Sequence, residues 1–377
     1  MQGYEAKEIL YLLGLCHNIF ISTRHLKRLL RRLNLRRRGQ ESPIEDIAMV
    51  MMNELEVNGR NIGYRSMWQR LNFAYGLHVT QNRTRQMLRI IDPEGVARRT
   101  ANRLLRRIYR CPGPNHMVHI DGYDKLKPYG IAIHGAVDGF SRKILWLKAG
   151  YSNNNPRLIA KFYLDFIRHI DGVPKVIRAD RGTEKVLVRR MHVALRWFNR
   201  DGYARENSFQ YGRSSSNQRI ESWWSQLRRT LTNSWINIFK DLRDRGLFDN
   251  SDSVQVECLR FCFVPLIQKQ LDSITIQWNQ HRIRKQRHGE CPSGKPDLMY
   301  HIPEAYKTTD CKMSLDYPER ELLEVEREYC SDFPRYGCHE GFVNVVEELV
   351  GDIDQYEMPN SPMEALRLYT SLLDLLQ

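Results

Sequence analysis

Three acidic residues occupy positions where a carboxylate could do chemistry. Asp121 ends an alternating apolar run within residues 115–124, a pattern typical of a buried strand. Asp180 follows a second apolar run and precedes Gly182, where the missing side chain lets the backbone approach a phosphate or a metal. Glu221 lies on a predicted helix further along the chain. Phosphodiester cleavage or transfer with two Mg²⁺ or Mn²⁺ ions needs such a set, because hard cations prefer carboxylate oxygens and keep their other positions for water or substrate phosphate.

Simpler interpretations of these acids remain open. Asp124 and Asp138 compete with Asp121, although Asp124 lies beyond the apolar run and Asp138 begins an Asp-Gly pair that is ordinary in turns. An aspartate at a strand end can be only a cap, and Asp180 alone would be weak evidence. Glu221 could be an exposed helical glutamate of the kind found in any protein.

The elements between and around the acids predict a mixed α/β sheet. The hydrophobic periods and the breakers predict three antiparallel strands first and then alternating helices and strands. Pro156 is expected in the first turn of the first helix. The predicted strands are 117–122, 130–137, 143–149, 175–179 and 208–211, and the predicted helices are 156–170, 184–198 and 220–231.

This order of motifs resembles the catalytic core of the DDE integrases and transposases. A strand ending in Asp121 is followed by the hairpin AVDGFSR (136–142), then by the strand and Asp-x-Gly of VIRADRG (176–182), and then by a helix carrying Glu221. The resemblance covers about 112–224 and continues more weakly to Tyr300. The 41 positions from Asp180 to Glu221 are more than is usual in retroviral integrases, and the turn before the helix lacks the usual Pro-Gly pair, which places the chain in a divergent, transposon-derived branch.

The resemblance implies a ribonuclease H-like core in a five-stranded mixed sheet flanked by helices. It also implies that Asp121, Asp180 and Glu221 are the catalytic residues and the ligands of two Mg²⁺ or Mn²⁺ ions. The expected reaction is in-line attack by water or a DNA 3′-hydroxyl on phosphorus, giving cleavage and strand transfer during DNA integration. Double-stranded DNA is the expected partner, bound by a homo-oligomer. Arg181 and Arg219, close in sequence to the acids, are candidates for holding DNA phosphates.

The N-terminal segment predicts a helix-turn-helix unit. Two short helices are expected within residues 4–33, and Ser22 is the predicted N-cap of the second. One face of that helix is leucine-rich and the other is basic, an arrangement that suits insertion into the major groove. An ordinary solvated basic helix is the alternative. The predicted DNA contacts are Arg24, Lys27, Arg28, Arg31 and Arg32.

A second helical unit is expected before the core, with helices at 47–55, 64–71 and about 81–91, the last capped by Thr80. Gly63 to Arg65 and the arginine-rich last helix resemble the helical domain that precedes the core in such integrases. A purely structural bundle remains the alternative. Its predicted DNA contacts are Arg83, Arg85 and Arg89. The basic connector at 97–110 suits phosphate contacts or a nuclear import signal equally well.

Charge is distributed unevenly along the chain. The net charge is +14, with 21 Lys and Arg against 9 Asp and Glu in residues 1–110 and 6 against 17 in residues 302–377. The basic part predicts a polyanionic partner, with nucleic acid the leading candidate. The acidic end predicts a separate module that contacts another protein.

The remaining composition favours an intracellular protein that acts in the nucleus. The eight cysteines include no CxxC pair, no apolar run approaches the length of a membrane span, and the start shows no signal-peptide pattern. Cys16, His17 and His25 lack paired metal-ligand spacing, so no zinc site is predicted. His116 and His119 flank the first core strand and are expected to be structural, with a role near the metals as the alternative.

These patterns together divide the chain into five parts: a helix-turn-helix unit at 1–39, a second helical DNA-binding unit with its connector at 44–110, an integrase catalytic core at 111–235, a helical extension of the core at 236–301 and an acidic helical region at 302–377. The leading hypothesis is a DNA integrase or transposase. The alternatives are a domesticated, non-catalytic DNA-binding regulator that retains the fold and a structural assembly factor that works through the acidic region.

Overall fold

The computed structural model describes residues 5–33, 41–57, 62–100, 109–212, 217–285, 291–351 and 358–376. Outside these ranges lie residues 101–108 of the basic connector, the arginines at 36–38 and Arg213.

A five-stranded mixed sheet forms the centre of the core. Its strands are β1 (Met117–Tyr123), β2 (Ala132–Asp138), β3 (Ile144–Gly150), β4 (Val176–Asp180) and β5 (Phe209–Gly212), in the order β3-β2-β1-β4-β5. Strand β2 runs antiparallel to both β1 and β3, whereas β4 runs parallel to both β1 and β5. The predicted sheet and its element order are therefore confirmed.

Helices surround this sheet and extend the chain at both ends. Before the sheet come α1 (Ala6–His17), α2 (Thr23–Arg32), α3 (Ile44–Val57), α4 (Tyr64–Gln69), α5 (Gln81–Ile91) and α6 (Pro93–Thr100). Within and after it come α7 (Pro156–Ile170), α8 (Val186–Leu195), α9 (Gln218–Leu227), α10 (Asn233–Asp244), α11 (Ser253–Gln280), α12 (Pro296–His301), α13 (Glu319–Tyr329), α14 (Glu340–Val350) and α15 (Pro362–Leu376). None of the described helices is long and apolar enough to cross a membrane.

Two apolar layers cover the faces of the sheet. On one face, Val118, Ile120 and Ile177 pack with α7 and α8. On the other, Ile133 and Leu147 pack with α9, α10 and α11. Alternate residues of each strand point to opposite faces of the sheet, so the apolar side chains of the strands contribute to both layers.

Helix α11 closes the edge of the sheet at β3. The Asn279 side chain accepts a hydrogen bond from the amide of Ile144 at 2.8 Å and donates one to its carbonyl oxygen at 3.0 Å. Gln268 does the same for the amide of Ala149 and the carbonyl oxygen of Leu147. An open edge would leave these backbone groups free to pair with another chain. The helical extension is thus an integral support of the core.

The acidic C-terminal region is not a separate module, contrary to the prediction from its charge. Leu322 of α13 is buried in the layer on α7, while Val346 of α14 and Tyr369 of α15 are buried in the layer on α11. Glu326 also pairs with Lys161 and Arg168, both on α7, each at 2.6 Å. The acidic residues lie around apolar stripes that the core buries, so net charge alone misjudged the region.

Helices α3, α4 and α5 form a small core of their own. Met51, Met67 and Leu88 are among its buried residues. The predicted caps are confirmed: Ser22 accepts from the amide of His25 at 3.2 Å, and Thr80 accepts from the amide of Arg83 at 3.2 Å. Arg70, which pairs with the buried Glu54, also donates to Gln277 of α11 at 3.2 Å.

Candidate active site

Asp121 lies on the central strand, with a side chain only 12% exposed. Its Oδ2 accepts a hydrogen bond from the indole nitrogen of Trp224 at 3.0 Å, and its Oδ1 lies 3.4 Å from the ammonium of Lys185. Both carboxylate oxygens therefore have partners within the core. By contrast, Asp124 is 57% exposed, and Asp138 is a fully buried turn residue bound by the amides of Asn115 and Ser141.

Asp180 ends β4 beside Asp121. The parallel pairing matches Met117 with Val176 and His119 with Arg178. The same offset, continued two residues along both strands, puts the two aspartates at one level. Asp180 is 39% exposed and bonds the Lys185 ammonium. Parallel strands thus bring the two carboxylates to the same end of the sheet.

Glu221 lies in the first turn of α9, near Asp121. Ile220 and Trp224 on the same helix are buried, which fixes the half-buried glutamate at the boundary of the core. Burial and the negative charge of Asp121 both raise the pKa of Glu221 above its ordinary value. The carboxylates of Glu221 and Asp121 are therefore close enough for their charges to interact.

A glycine on the neighbouring strand admits the tryptophan that binds Asp121. Gly135 is paired directly with Asp121 across β1 and β2. A Cβ atom added there would lie 2.9 Å from Cη2 of Trp224 and 3.1 Å from the side chain of Leu147. The absent side chain lets Trp224 lie across the sheet and hold both Asp121 and α9.

His119 and Asn217 fix the start of the same helix. His119 Nδ1 lies 2.5 Å from Oδ1 of Asn217, and its Nε2 lies 2.7 Å from the hydroxyl of Tyr109. Asn217 also donates to the carbonyl oxygen of Ile120 at 3.1 Å. Burial lowers the pKa of His119 to about 3, so its ring is neutral at pH 7. His119 is therefore structural in these contacts.

The sequence interpretation missed Lys185 and Glu184. Lys185 is buried, with a side chain 1% exposed, and its ammonium lies between Asp121 and Asp180 and 3.1 Å from Glu184. Burial lowers the pKa of Lys185, whereas the charge of Asp121 acts to raise it. The sequence predicted one helix over 184–198, whereas residues 183–185 form a 3₁₀ turn and α8 begins only at Val186. That turn directs Lys185 back toward the acids.

The donor atoms of this cluster suit a hard cation. In the described part of the chain, no group of three or more His, Cys, Asp or Glu side chains is arranged to hold a metal ion. Carboxylate oxygens are nevertheless the ligands that Mg²⁺ and Mn²⁺ prefer, and Asp121 and Asp180 already share one positive charge, the Lys185 ammonium. The chemistry of the donor atoms therefore suits a cation between these aspartates, with Glu221 near Asp121.

The predicted DNA contacts fall into two groups. All the basic residues proposed on α2 and α5 are exposed, as is Arg181 next to Asp180. Arg219 is different: its guanidinium lies 4.1 Å from the ring centre of Tyr109 and donates to Gly139 O at 3.0 Å and to Cys291 Sγ at 2.8 Å. Its charge is used inside the domain, which corrects its assignment as a DNA contact.

The strand order β3-β2-β1-β4-β5, with β2 antiparallel and helices on both faces, defines a ribonuclease H-like fold. The acids on β1, at the end of β4 and on α9 stand on the elements that the sequence motifs predicted. Residues 108–294 match the family model of the integrase core domain. The chain therefore carries an integrase core domain, as its motifs indicated.

Two further comparisons do not bear on this assignment. No curated protein matches the sequence. Among solved structures, the chain is similar to one in the cryoEM structure of the simian T-cell lymphotropic virus intasome in complex with PP2A regulatory subunit B56 gamma, at 14% identity over 68% of this chain and 75% of that chain, with a TM-score of 0.32. The assignment rests on the family match and the strand order.

Proposed function

We propose that this protein is a DDE polynucleotidyl transferase that cleaves DNA phosphodiester bonds and transfers DNA strands during integration or transposition. The observation that carries the proposal is the placement of Asp121 and Asp180 around one positive charge, with Glu221 close enough to Asp121 for its pKa to rise. The integrase core family over 108–294 supports it.

Asp121, Asp180 and Glu221 would hold two Mg²⁺ or Mn²⁺ ions. When bound, such ions supply activation of the attacking water or 3′-hydroxyl and stabilisation of the leaving oxygen. Asp121 would be the most rigid of the three ligands, because the central strand and Trp224 fix its carboxylate. Asp180 and Glu221 are more open to solvent and would face the DNA phosphate.

Double-stranded DNA is the proposed substrate. The exposed basic faces of α2 and α5 would bind its backbone or grooves, and Arg181 would contact phosphate beside the acids. Action in the nucleus and assembly as a homo-oligomer on DNA are part of the same proposal. A protein partner of the acidic region would have to bind its exposed acidic faces, since the apolar stripes are used inside the molecule.

One observation favours a second candidate, a domesticated DNA-binding regulator without catalysis. The Lys185 ammonium lies between Asp121 and Asp180, where a catalytic metal would be expected. A chain that had lost metal binding could neutralise its clustered acids in this way.

Metal-dependent cleavage of a supercoiled plasmid tests the proposal without knowledge of the target sequence. We expect nicking and linearisation with Mg²⁺ or Mn²⁺ and none with EDTA, because the carboxylates alone neither activate the attacking water nor stabilise the leaving oxygen. DNA binding should persist in EDTA. Binding without cleavage at any Mg²⁺ or Mn²⁺ concentration would contradict the enzyme and favour the regulator.

A further inference from the structure

Lys185 is held as a cation is held in a metal site. Its buried ammonium contacts Asp121, Asp180 and Glu184, which come from β1, the end of β4 and the turn before α8. An ammonium carries three donors and no acceptor, so three carboxylates satisfy it fully. These are the oxygen donors that a hard divalent ion would use.

The ammonium and a divalent ion cannot share this position. Oδ2 of Asp121 is taken by the Trp224 indole, so Lys185 occupies the oxygen that faces Asp180. A second cation between the two aspartates would lie within a few ångströms of the ammonium, where like charges in a buried site repel strongly. Lysine has a long flexible stem, which allows its charge to move while its backbone stays in place.

We propose that Lys185 is an internal cation that competes with the divalent metal for Asp121 and Asp180, so that metal enters the site only as the ammonium leaves it. The inference rests on the proposed function for the identity of the incoming ion. In the metal-free protein Lys185 offsets the repulsion among the clustered acids. Lys185 thereby raises the concentration of metal ion that is needed to fill the site.

The test is Mn²⁺ binding by the full chain, measured from the electron paramagnetic resonance signal of free Mn²⁺. Lys185→Met should bind Mn²⁺ at least about tenfold more tightly than the wild type, because the competing charge is gone. Lys161→Met is the matched control, since Lys161 on α7 also pairs with two carboxylates, but these are Asp165 and Glu326 and not acids of the candidate site. Its affinity should stay within about twofold of the wild type. Adding Asp121→Asn to Lys185→Met should abolish the gain.

An affinity of folded Lys185→Met that equals or falls below that of the wild type overturns the proposal, as does the absence of Mn²⁺ binding in both. If that variant does not fold, amine labelling of the wild type takes its place. Saturating Mn²⁺ should increase modification of Lys185 several-fold and leave Lys161 unchanged. Lys185 that stays protected while Mn²⁺ is bound overturns the proposal equally.

The two proposals fail in different ways. If Lys185→Met binds Mn²⁺ more tightly but the wild type cleaves no DNA, the internal cation is supported and the enzyme is refuted. Metal-dependent cleavage with equal Mn²⁺ affinity in both proteins would support the enzyme and refute the internal cation.

Discussion

Asp121→Asn is expected to lower the rate of metal-dependent DNA cleavage by about 10³-fold or more, because a central ligand loses its charge at the reacting phosphate. Asparagine keeps the volume of the side chain and can still accept from the Trp224 indole, so the fold should remain. The cleavage rate on a supercoiled plasmid and the affinity for labelled duplex DNA are the two measurements. The affinity should change by less than about threefold.

Asp124→Asn is the matched control for this substitution. Asp124 lies just beyond the same strand but is 57% exposed, against 12% for Asp121. Its substitution should leave the cleavage rate within about threefold of the wild type. Glu221→Gln should lose activity as Asp121→Asn does. Cleavage that persists in Asp121→Asn, or that is lost equally in Asp124→Asn, contradicts the assignment.

Replacing Arg28 and Arg31 together with alanine is expected to weaken binding to duplex DNA by about tenfold or more near 0.15 M salt. Both side chains are exposed on α2, and the buried Leu26 holds the opposite face of this helix. If each arginine contacts one phosphate, the slope of log affinity against log salt should also fall by about 2. Fluorescence anisotropy across a salt series measures both quantities.

A pair of arginines in the acidic region controls for the loss of charge. Arg320 is exposed on α13 and Arg367 is exposed on α15. Replacing both with alanine changes the net charge by the same amount as replacing Arg28 and Arg31. That variant should bind DNA with unchanged affinity and salt dependence if the contact is local to α2. Equal losses in the two variants would mean that only the net charge matters, and no loss in either would remove α2 from the interface.

Features that depend on neighbouring residues were predictable from the sequence. The caps Ser22 and Thr80 were found because side chain and backbone partner are three residues apart. The strands that carry Asp121 and Asp180 followed from their apolar alternation. Glu221 was placed on its helix by a local apolar face.

Features that depend on distant partners were not predictable in this way. Arg219 looked available for DNA, but its partners are Tyr109, Gly139 and Cys291, between 72 and 110 positions away. Lys185 looked like an ordinary helical lysine, since only the parallel pairing of β1 with β4 brings Asp121 to it. The acidic region looked independent because net charge carries no information on the apolar stripes of α13 to α15.

The central claim is that the carboxylates of Asp121, Asp180 and Glu221 form one metal site. Crystals grown in saturating Mn²⁺, with the ions located by anomalous diffraction, test it most directly. The account predicts Mn²⁺ bound to oxygens of all three residues at about 2.1 Å, with the Lys185 ammonium moved out of the gap between the aspartates. The account is contradicted if Lys185 still bridges Asp121 and Asp180 in saturating Mn²⁺ and no ion lies among the three carboxylates.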